Sequence, residues 1–265
     1  MLIICNGNFK SGSTWLHFIV SEILKLKGIN IFDTKEKYTN NVNSPTSIIE
    51  SKLNEFLINE DYKTNYYLTK SHYLSKKTFN MKADNNIKFF FIDREINDVI
   101  VSHFHHFKIR TKLKLSFQTY FFFIGKLKAY EVLNLRKLYS RFSNEKNSFL
   151  YSDLINNFED SVNKISKYLD LGDFDKRQLT VLKKRTSIEN MREKINNGEL
   201  TYYSQTDSKK RKELLRFGKS GNWKNYFTKE NEKTIDNICN NKASIILKIS
   251  YYIFFTLRRK ILKVE

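Results

Sequence analysis

The sequence is poor both in the residues that interrupt structure and in those that cross-link it. A single proline, Pro45, and eight glycines stand among 265 residues, and no stretch is rich in glycine, serine or proline, so nothing reads as an interdomain linker. Cys5 and Cys239 are the only cysteines. They form neither a disulfide framework nor a metal-ligand spacing, and a reducing cytoplasm suits them. There is no internal repeat and no long run of like charge. The N-terminus lacks a basic n-region and a cleavage site, so Met1 to Ile4 reads as structure rather than a signal peptide. The chain also lacks a long apolar run: Ala243 to Leu257 is interrupted by Lys248, followed by Arg258, Arg259 and Lys260, and falls short of a membrane span. Two readings of that stretch, a helix over about 243–262, stand open: a core or capping helix, and a helix lying on an anionic membrane surface. Acid is scarce too. Asp and Glu number 28 against 47 Lys and Arg, a net charge of +19, which predicts attraction to nucleotides, nucleic acid or acidic membranes, although many lysines simply solvate a surface. With 40% hydrophobic and 15% aromatic content the chain can bury a sizeable core, and residues 1–265 are taken as one domain.

What is present begins at the first residues. The short apolar run Met1-Leu2-Ile3-Ile4-Cys5 predicts a strand, and after Gly12 the residues Trp15, Leu16, Phe18, Ile19, Ile23 and Leu24 share a helical face. Between them lies the loop 6–15, with Lys10, Ser11, Gly12, Ser13, Thr14 and Trp15. In a strand-loop-helix unit the loop amides and the helix N-terminus converge where an anion is favoured. Lys10 adds charge, and Ser11, Ser13 and Thr14 add hydroxyl donors. A phosphate cradle is one reading, and a turn that merely links strand to helix is the other. Gly7 and Gly12 have the spacing of the nucleoside-triphosphatase loop G-x-x-x-x-G-K-S/T, but Ser13 stands where its lysine belongs.

The lysine comes two residues before the second glycine instead. That placement, with Trp15 after the hydroxyls, resembles the PKSGTTW loop of the sulfotransferases that use 3′-phosphoadenosine 5′-phosphosulfate (PAPS), with Phe9 for the usual proline and Ser13 for the first threonine. Further signals follow in the same order. Gly28 to Ser47 is polar and reads as a surface excursion, then a helix is predicted over about Thr46 to Asn59, and Tyr66 to Thr69 is a short strand ending in Lys70-Ser71-His72. This last triplet resembles the family's K-T-H stretch, which implies His72 as catalytic base and Lys70 on the transferring group. Lys88 to Asp93 is an apolar strand suited to burial on both faces. The segment Arg94 to Ser102 (94–102), which opens a helix carrying Ile96, Val99, Ile100, Phe104 and Phe107, resembles the signature R-N-P-x-D-x-x-x-S. It implies that Arg94 and Ser102 hold a 3′-phosphate, with Asp98 at the acidic position. His103, His105 and His106 have no carboxylate or cysteine cluster beside them and receive no metal.

Leu113 to Tyr139 reads as a long aromatic and basic helical stretch, Ser148 to Tyr151 as a strand, and Asn157 to Leu169 as a helix. Tyr151-Ser152-Asp153-Leu154 resembles the family's Y-E-D-L, implying that Tyr151 helps hold adenosine, though a helix cap explains the same letters. Thr186-Ser187-Ile188 resembles T-S-F, which places Thr186 and Ile188 near adenine. The segment 216–228 resembles R-K-G-x-x-G-D-W-K-x-x-F-T, a loop that covers the nucleotide, and implies contacts from Arg216, Phe217 and Gly218. Here Phe217 replaces a lysine and Asn222 an aspartate. The family's dimer motif, K-x-x-x-T-V-x-x-x-E, is matched by Lys224 and Thr228 only, since Lys229 and Lys233 stand for Val and Glu, so the usual dimer is not expected.

Taken together the resemblance implies a single-domain three-layer α/β P-loop-type fold with a central parallel sheet. It implies transfer of a sulfuryl group from PAPS to a hydroxyl or amine of a small-molecule acceptor, without metal. His72 would take the acceptor's proton, Lys10 would face the bridging oxygen, and Lys70 the equatorial oxygens. Trp15 would stack on adenine. Candidates for the acceptor pocket are Tyr73, Phe104, His105, His106 and parts of the polar segment from Gly28 to Ser47. Specific nucleic-acid binding is not expected, and peripheral contact with anionic membrane is left open. The rival readings are a nucleoside-triphosphate kinase, opposed by Ser13, and a nonenzymatic basic protein that binds nucleic acid, supported by charge alone.

Overall fold

The computed structural model describes residues 1–34, 36–39, 47–72, 74–197 and 220–262. Its strands are β1 (Leu2–Gly7), β2 (Ile31–Phe32), β3 (Tyr66–Ser71), β4 (Ile87–Asp93) and β5 (Ser148–Leu150). They form one sheet in the order β2-β3-β1-β4-β5, and every pairing is parallel. Parallel neighbours need crossovers that cover both faces, so the strands can be apolar throughout. Ile3 and Cys5 of β1 and Phe90 and Ile92 of β4 enter one buried cluster, whereas Leu2, Ile4, Phe89 and Phe91 enter the cluster on the opposite face.

The helices that follow are α1 (Ser13–Leu26), α2 (Glu50–Asn59), α3 (Lys76–Phe79), α4 (Ile96–Thr111), α5 (Phe117–Tyr120), α6 (Lys126–Tyr139), α7 (Tyr151–Asn156), α8 (Phe158–Tyr168), α9 (Lys176–Arg185) and α10 (Ile188–Asn196). On the first face α1 and α8 bury Leu16, Ile19, Ile23, Val162 and Ile165 against the sheet. Each such side chain stabilises by about 1.5–3 kcal/mol relative to exposure. On the second face lie Leu53 and Phe56 of α2, Phe79 of α3 and Tyr139 of α6. A third cluster joins α4, α5 and α6 to the helix Lys229–Cys239. Glu22, buried in α1, is ringed by Lys25, Arg185 and Lys194 at 3.3, 3.8 and 3.7 Å, which ties α9 and α10 to α1.

Several boundaries differ from the sequence expectation. Within the expected surface excursion, Ile31–Phe32 forms the edge strand β2 on β3. The helix expected from Thr46 starts at Glu50 because the Ile48 amide donates to Thr69 Oγ1 at 2.9 Å, and Ile48 bridges Thr39, which keeps it extended. Tyr151 opens α7 rather than ending a strand. The long helical stretch begins at Phe117, where the Ser116 hydroxyl accepts from the Thr119 amide. It then passes through a π-helical turn, Phe121–Gly125, before α6. The C-terminal helix spans Ile245–Leu262.

Candidate active site

Lys10, Lys70, His72, Arg94 and Tyr151 all lie at or just beyond the carboxyl ends of β1, β3, β4 and β5, the place where open α/β sheets hold ligands. β1 runs into the loop 8–12, in which Lys10 (φ 61°) and Gly12 (φ 104°, ψ 12°) both take the left-handed conformation. Glycine accepts that shape without strain, whereas lysine does not, and a strained lysine in a loop points to function. Gly12 is required for space as well: a Cβ there would lie 2.6 Å from Tyr151 Cδ2. Ser13 and Thr14 begin α1, so their amides precede the helix's own ladder. Ser11 is different. It is fully buried, and both its amide and its hydroxyl donate to the Asn8 carbonyl, at 3.1 and 2.6 Å, so its side chain closes the loop.

Lys70, the penultimate residue of β3, pairs with Cys5, and its ammonium donates to Thr14 Oγ1 at 3.2 Å, which links β3 to the start of α1. Burial lowers the Lys70 pKa to about 8. His72 follows at once. Its Nδ1 lies 2.8 Å from the Gly7 carbonyl, an acceptor, so Nδ1 carries the proton and Nε2 is the basic nitrogen of the neutral ring. Tyr139 anchors the same residue by donating its hydroxyl to the His72 carbonyl. The pKa of His72 is lowered to about 4, chiefly by burial and further by Lys70 and Lys10, with the Gly7 bond acting the other way. His106 is lowered to about 3 by burial, then by Lys10 and Arg110. Cations that depress their neighbours in this way sit in a field short of negative charge, and an anionic nucleotide would supply it.

Asp98 and Ser102, four residues apart, share a face of α4, and Arg94 precedes the helix by two residues. The Arg94 guanidinium lies over the Tyr151 ring at 4.2 Å and 3.9 Å from Asp98 Oδ2. Asp98 is 2% exposed and accepts the amides of Gly221 (2.8 Å) and Trp223 (3.3 Å). It therefore holds the backbone at Gly221 and Trp223, within the segment 216–228, against the start of α4. This role was missed in the sequence, although the fixed spacing from Arg94 marked the residue. Trp15 meets Tyr151 edge to face at 5.5 Å and donates its indole N–H to the Thr186 carbonyl at 2.9 Å. Thr186 itself is buried and donates its hydroxyl to the Leu182 carbonyl at 2.8 Å, so it reaches Trp15 through its main chain. Ile188, half-buried, begins α10, and Ser102 is half-buried on α4.

The remaining candidates separate. Phe104 is buried in the third cluster against Phe117 and Tyr120. His103 Nδ1 lies 2.7 Å from the Tyr120 hydroxyl, and His105 Nε2 lies 3.1 Å from that of Tyr226. His106 stays at the site: its Nδ1 is buried with no hydrogen-bond partner among the described residues. Thr228, the last residue of the segment 216–228, caps the helix Lys229–Cys239 in a reciprocal box with Asn231. Tyr73, Arg216, Phe217 and Gly218 lie outside the described residues.

Residues 3–246 match the family described as the sulfotransferase domain. The chain belongs to the sulfotransferase family. It is an enzyme of PAPS-dependent sulfuryl transfer, as the order of its motifs implied. No curated protein matches it. Among solved structures, a mouse sulfotransferase complexed with PAP (3′-phosphoadenosine 5′-phosphate) is similar over 97% of this sulfotransferase and 88% of that chain, with a TM-score of 0.66 and 19% identity. A retinol dehydratase in complex with androsterone and the inactive cofactor PAP matches over 91% and 80% of the two chains, with a TM-score of 0.61 and 15% identity. At these identities the likeness concerns the fold, a parallel five-stranded sheet flanked by helices.

Proposed function

We propose that this sulfotransferase binds PAPS across the carboxyl ends of β1, β4 and β5 and sulfates a hydroxyl of a small, largely apolar acceptor, with His72 as general base. The observation that carries the reading is the His72 geometry: Nδ1–H fixed on Gly7, Nε2 basic, and Lys70 and Lys10 close enough to depress its pKa. PAPS supplies an activated sulfuryl group whose leaving group is the 5′-phosphate of PAP. The chain's own groups do the rest. The amides of Ser13 and Thr14 and the Thr14 hydroxyl bind the 5′-phosphate, and Lys10 sets its charge against the bridging oxygen. Lys70, held by Thr14, offers charge to the equatorial oxygens. Arg94 and Ser102 take the 3′-phosphate with charge-assisted bonds, aided by Arg216 and the backbone at Phe217 and Gly218. Tyr151, Trp15, Thr186 and Ile188 form the adenosine wall. His72 Nε2 receives the acceptor's proton as the nucleophile is held in line.

No helix among the described residues is long and apolar enough to cross a membrane, and we place the enzyme in the cytoplasm. With Lys229 and Lys233 in the dimer motif, we place it there without the usual family dimer. Calorimetric titration in EDTA with PAP, 5′-AMP and ATP tests the nucleotide site. Metal-free binding that prefers PAP and weakens in Arg94→Ala supports the reading. Equal affinities, or binding that requires Mg²⁺, would favour a kinase instead.

A further inference from the structure

The C-terminal helix Ile245–Leu262 packs on the body through one side only. Tyr251 meets Tyr130 of α6 edge to face at 5.1 Å and stacks on Phe255 at 5.6 Å, and Leu247 joins the third core cluster. The opposite side should then be polar. It is not. At 3.6 residues per turn, Tyr252, Ile245, Ile249, Ile253, Ile246 and Leu257 cover an arc of about 140°. All are at least half exposed, Ile246 reaching 73%.

A second exposed apolar element stands beside this arc. The π-helical turn Phe121–Gly125 presents the adjacent rings of Phe122 and Phe123, 62% and 66% exposed and in contact at 4.9 Å. A groove of about 490 Å³ runs between the two elements, bounded by both rings, Ile246 and Leu247. Lysines border it: Lys126, whose ammonium lies 4.1 Å from the Phe122 ring centre, and Lys242. Lys248 lies on the helix itself, Arg258, Arg259 and Lys260 follow in sequence, and no acidic residue occurs from Ala243 to Leu262.

We propose that this surface docks the enzyme on a lipid bilayer containing anionic lipid, the helix lying in the interface with Phe122 and Phe123 inserted beside it. An apolar arc bordered by cations and lacking acid suits such a bilayer, where hydrocarbon takes the isoleucines and phenylalanines and headgroups take the lysines. A second copy of the chain is disfavoured, because a two-fold contact through this face would set the same lysines against each other in a molecule of net charge +19. The proposal does not depend on the nucleotide or the acceptor.

Flotation with vesicles of phosphatidylcholine, alone or mixed with phosphatidylserine, tests it on the wild type, Ile249→Glu/Ile253→Glu and Phe122→Ser/Phe123→Ser. The wild type should bind the mixed vesicles at least about tenfold more tightly than the neutral ones and weaken in high salt. Each double variant should lose about tenfold or more while keeping its melting temperature and its PAP affinity. Absence of wild-type flotation, or double variants that float as the wild type does, would overturn the proposal. So would a wild-type dimer that Ile249→Glu/Ile253→Glu dissociates without any effect of lipid.

Discussion

His72 donates its Nδ1 proton to the carbonyl of Gly7 at 2.8 Å, so the end of β1 chooses the tautomer of the residue that follows β3. The imidazole is thereby tied to the strand end from which the loop 8–12 departs. His72→Ala should lower kcat by about a hundred- to ten-thousand-fold while leaving PAP affinity near the wild-type value. In the wild type, burial and the nearby lysines hold the imidazole near a pKa of about 4, so the acid limb of the rate profile should fall there and not near the ordinary histidine value. Near-normal turnover of His72→Ala, or an acid limb at the ordinary value, would remove His72 from the base role.

Lys70 titrates at the other end of the range. Burial brings its ammonium to about 8, and only the charged form attracts a phosphate or sulfuryl oxygen. PAP affinity should therefore decline as pH rises through about 8, and binding above that pH should take up a proton, because the bound anion favours the charged amine. Calorimetry in two buffers of different ionisation enthalpy reads this uptake directly. Lys70→Arg, charged throughout, should bind with a flat profile over the same range. A decline that persists in Lys70→Arg would assign the titration to another group.

Asp98 ties Arg94 to the amides of Gly221 and Trp223, and it does so from a position only 2% exposed. Replacing it with alanine leaves two partly buried amides without this acceptor and a guanidinium without this carboxylate. The expected loss of stability is about 3–5 kcal/mol in denaturant titration. Arg94→Ala keeps both amide bonds, so it should lose PAP affinity with a smaller loss of stability. Equal melting of Asp98→Ala and wild type would show that the segment 220–223 is held by its aromatic contacts alone.

Most of the sheet was legible in the sequence because β1 and β4 are buried on both faces and carry the apolar runs Leu2–Cys5 and Phe89–Ile92, while β3 shows only the short stretch Tyr66–Leu68. β2, two residues long with Phe32 exposed at the edge, carries no such run and was absorbed into a polar connection. Lys10, Lys70, His72 and Arg94 could be found because each lies within three residues of a strand's carboxyl end, where chain order alone places a residue at the sheet's ligand-binding edge. Phe104 could not be separated from His106 in the same way. The two lie half a turn apart on α4, and only the packing of α5 shows that the phenylalanine faces the helical core. Thr186 was identified by its letters, but the contact it makes is through its carbonyl, which no side-chain motif encodes.

Gly12 offers the sharpest test of how the loop 8–12 and Tyr151 depend on each other. An alanine there meets two separate penalties. The first is the backbone conformation, φ 104°, which costs a residue with a Cβ roughly 1 kcal/mol or more. The second is contact: the new Cβ would stand 2.6 and 2.9 Å from Tyr151 Cδ2 and Cε2 and 3.2 Å from Ile92 Cδ1. The tyrosine ring is poorly placed to yield, since Trp15 meets it at 5.5 Å and Arg94 lies over it at 4.2 Å. Gly12→Ala should therefore lose both stability and PAP affinity, the second because a displaced Tyr151 carries Arg94 with it. Adding Tyr151→Ala should relieve the contact and return part of the stability, but not the part set by φ, and PAP affinity should stay low because the adenosine wall is gone. If Gly12→Ala is destabilised yet binds PAP as the wild type does, Tyr151 and Arg94 are not coupled through the loop, and the arginine is positioned by Asp98 alone.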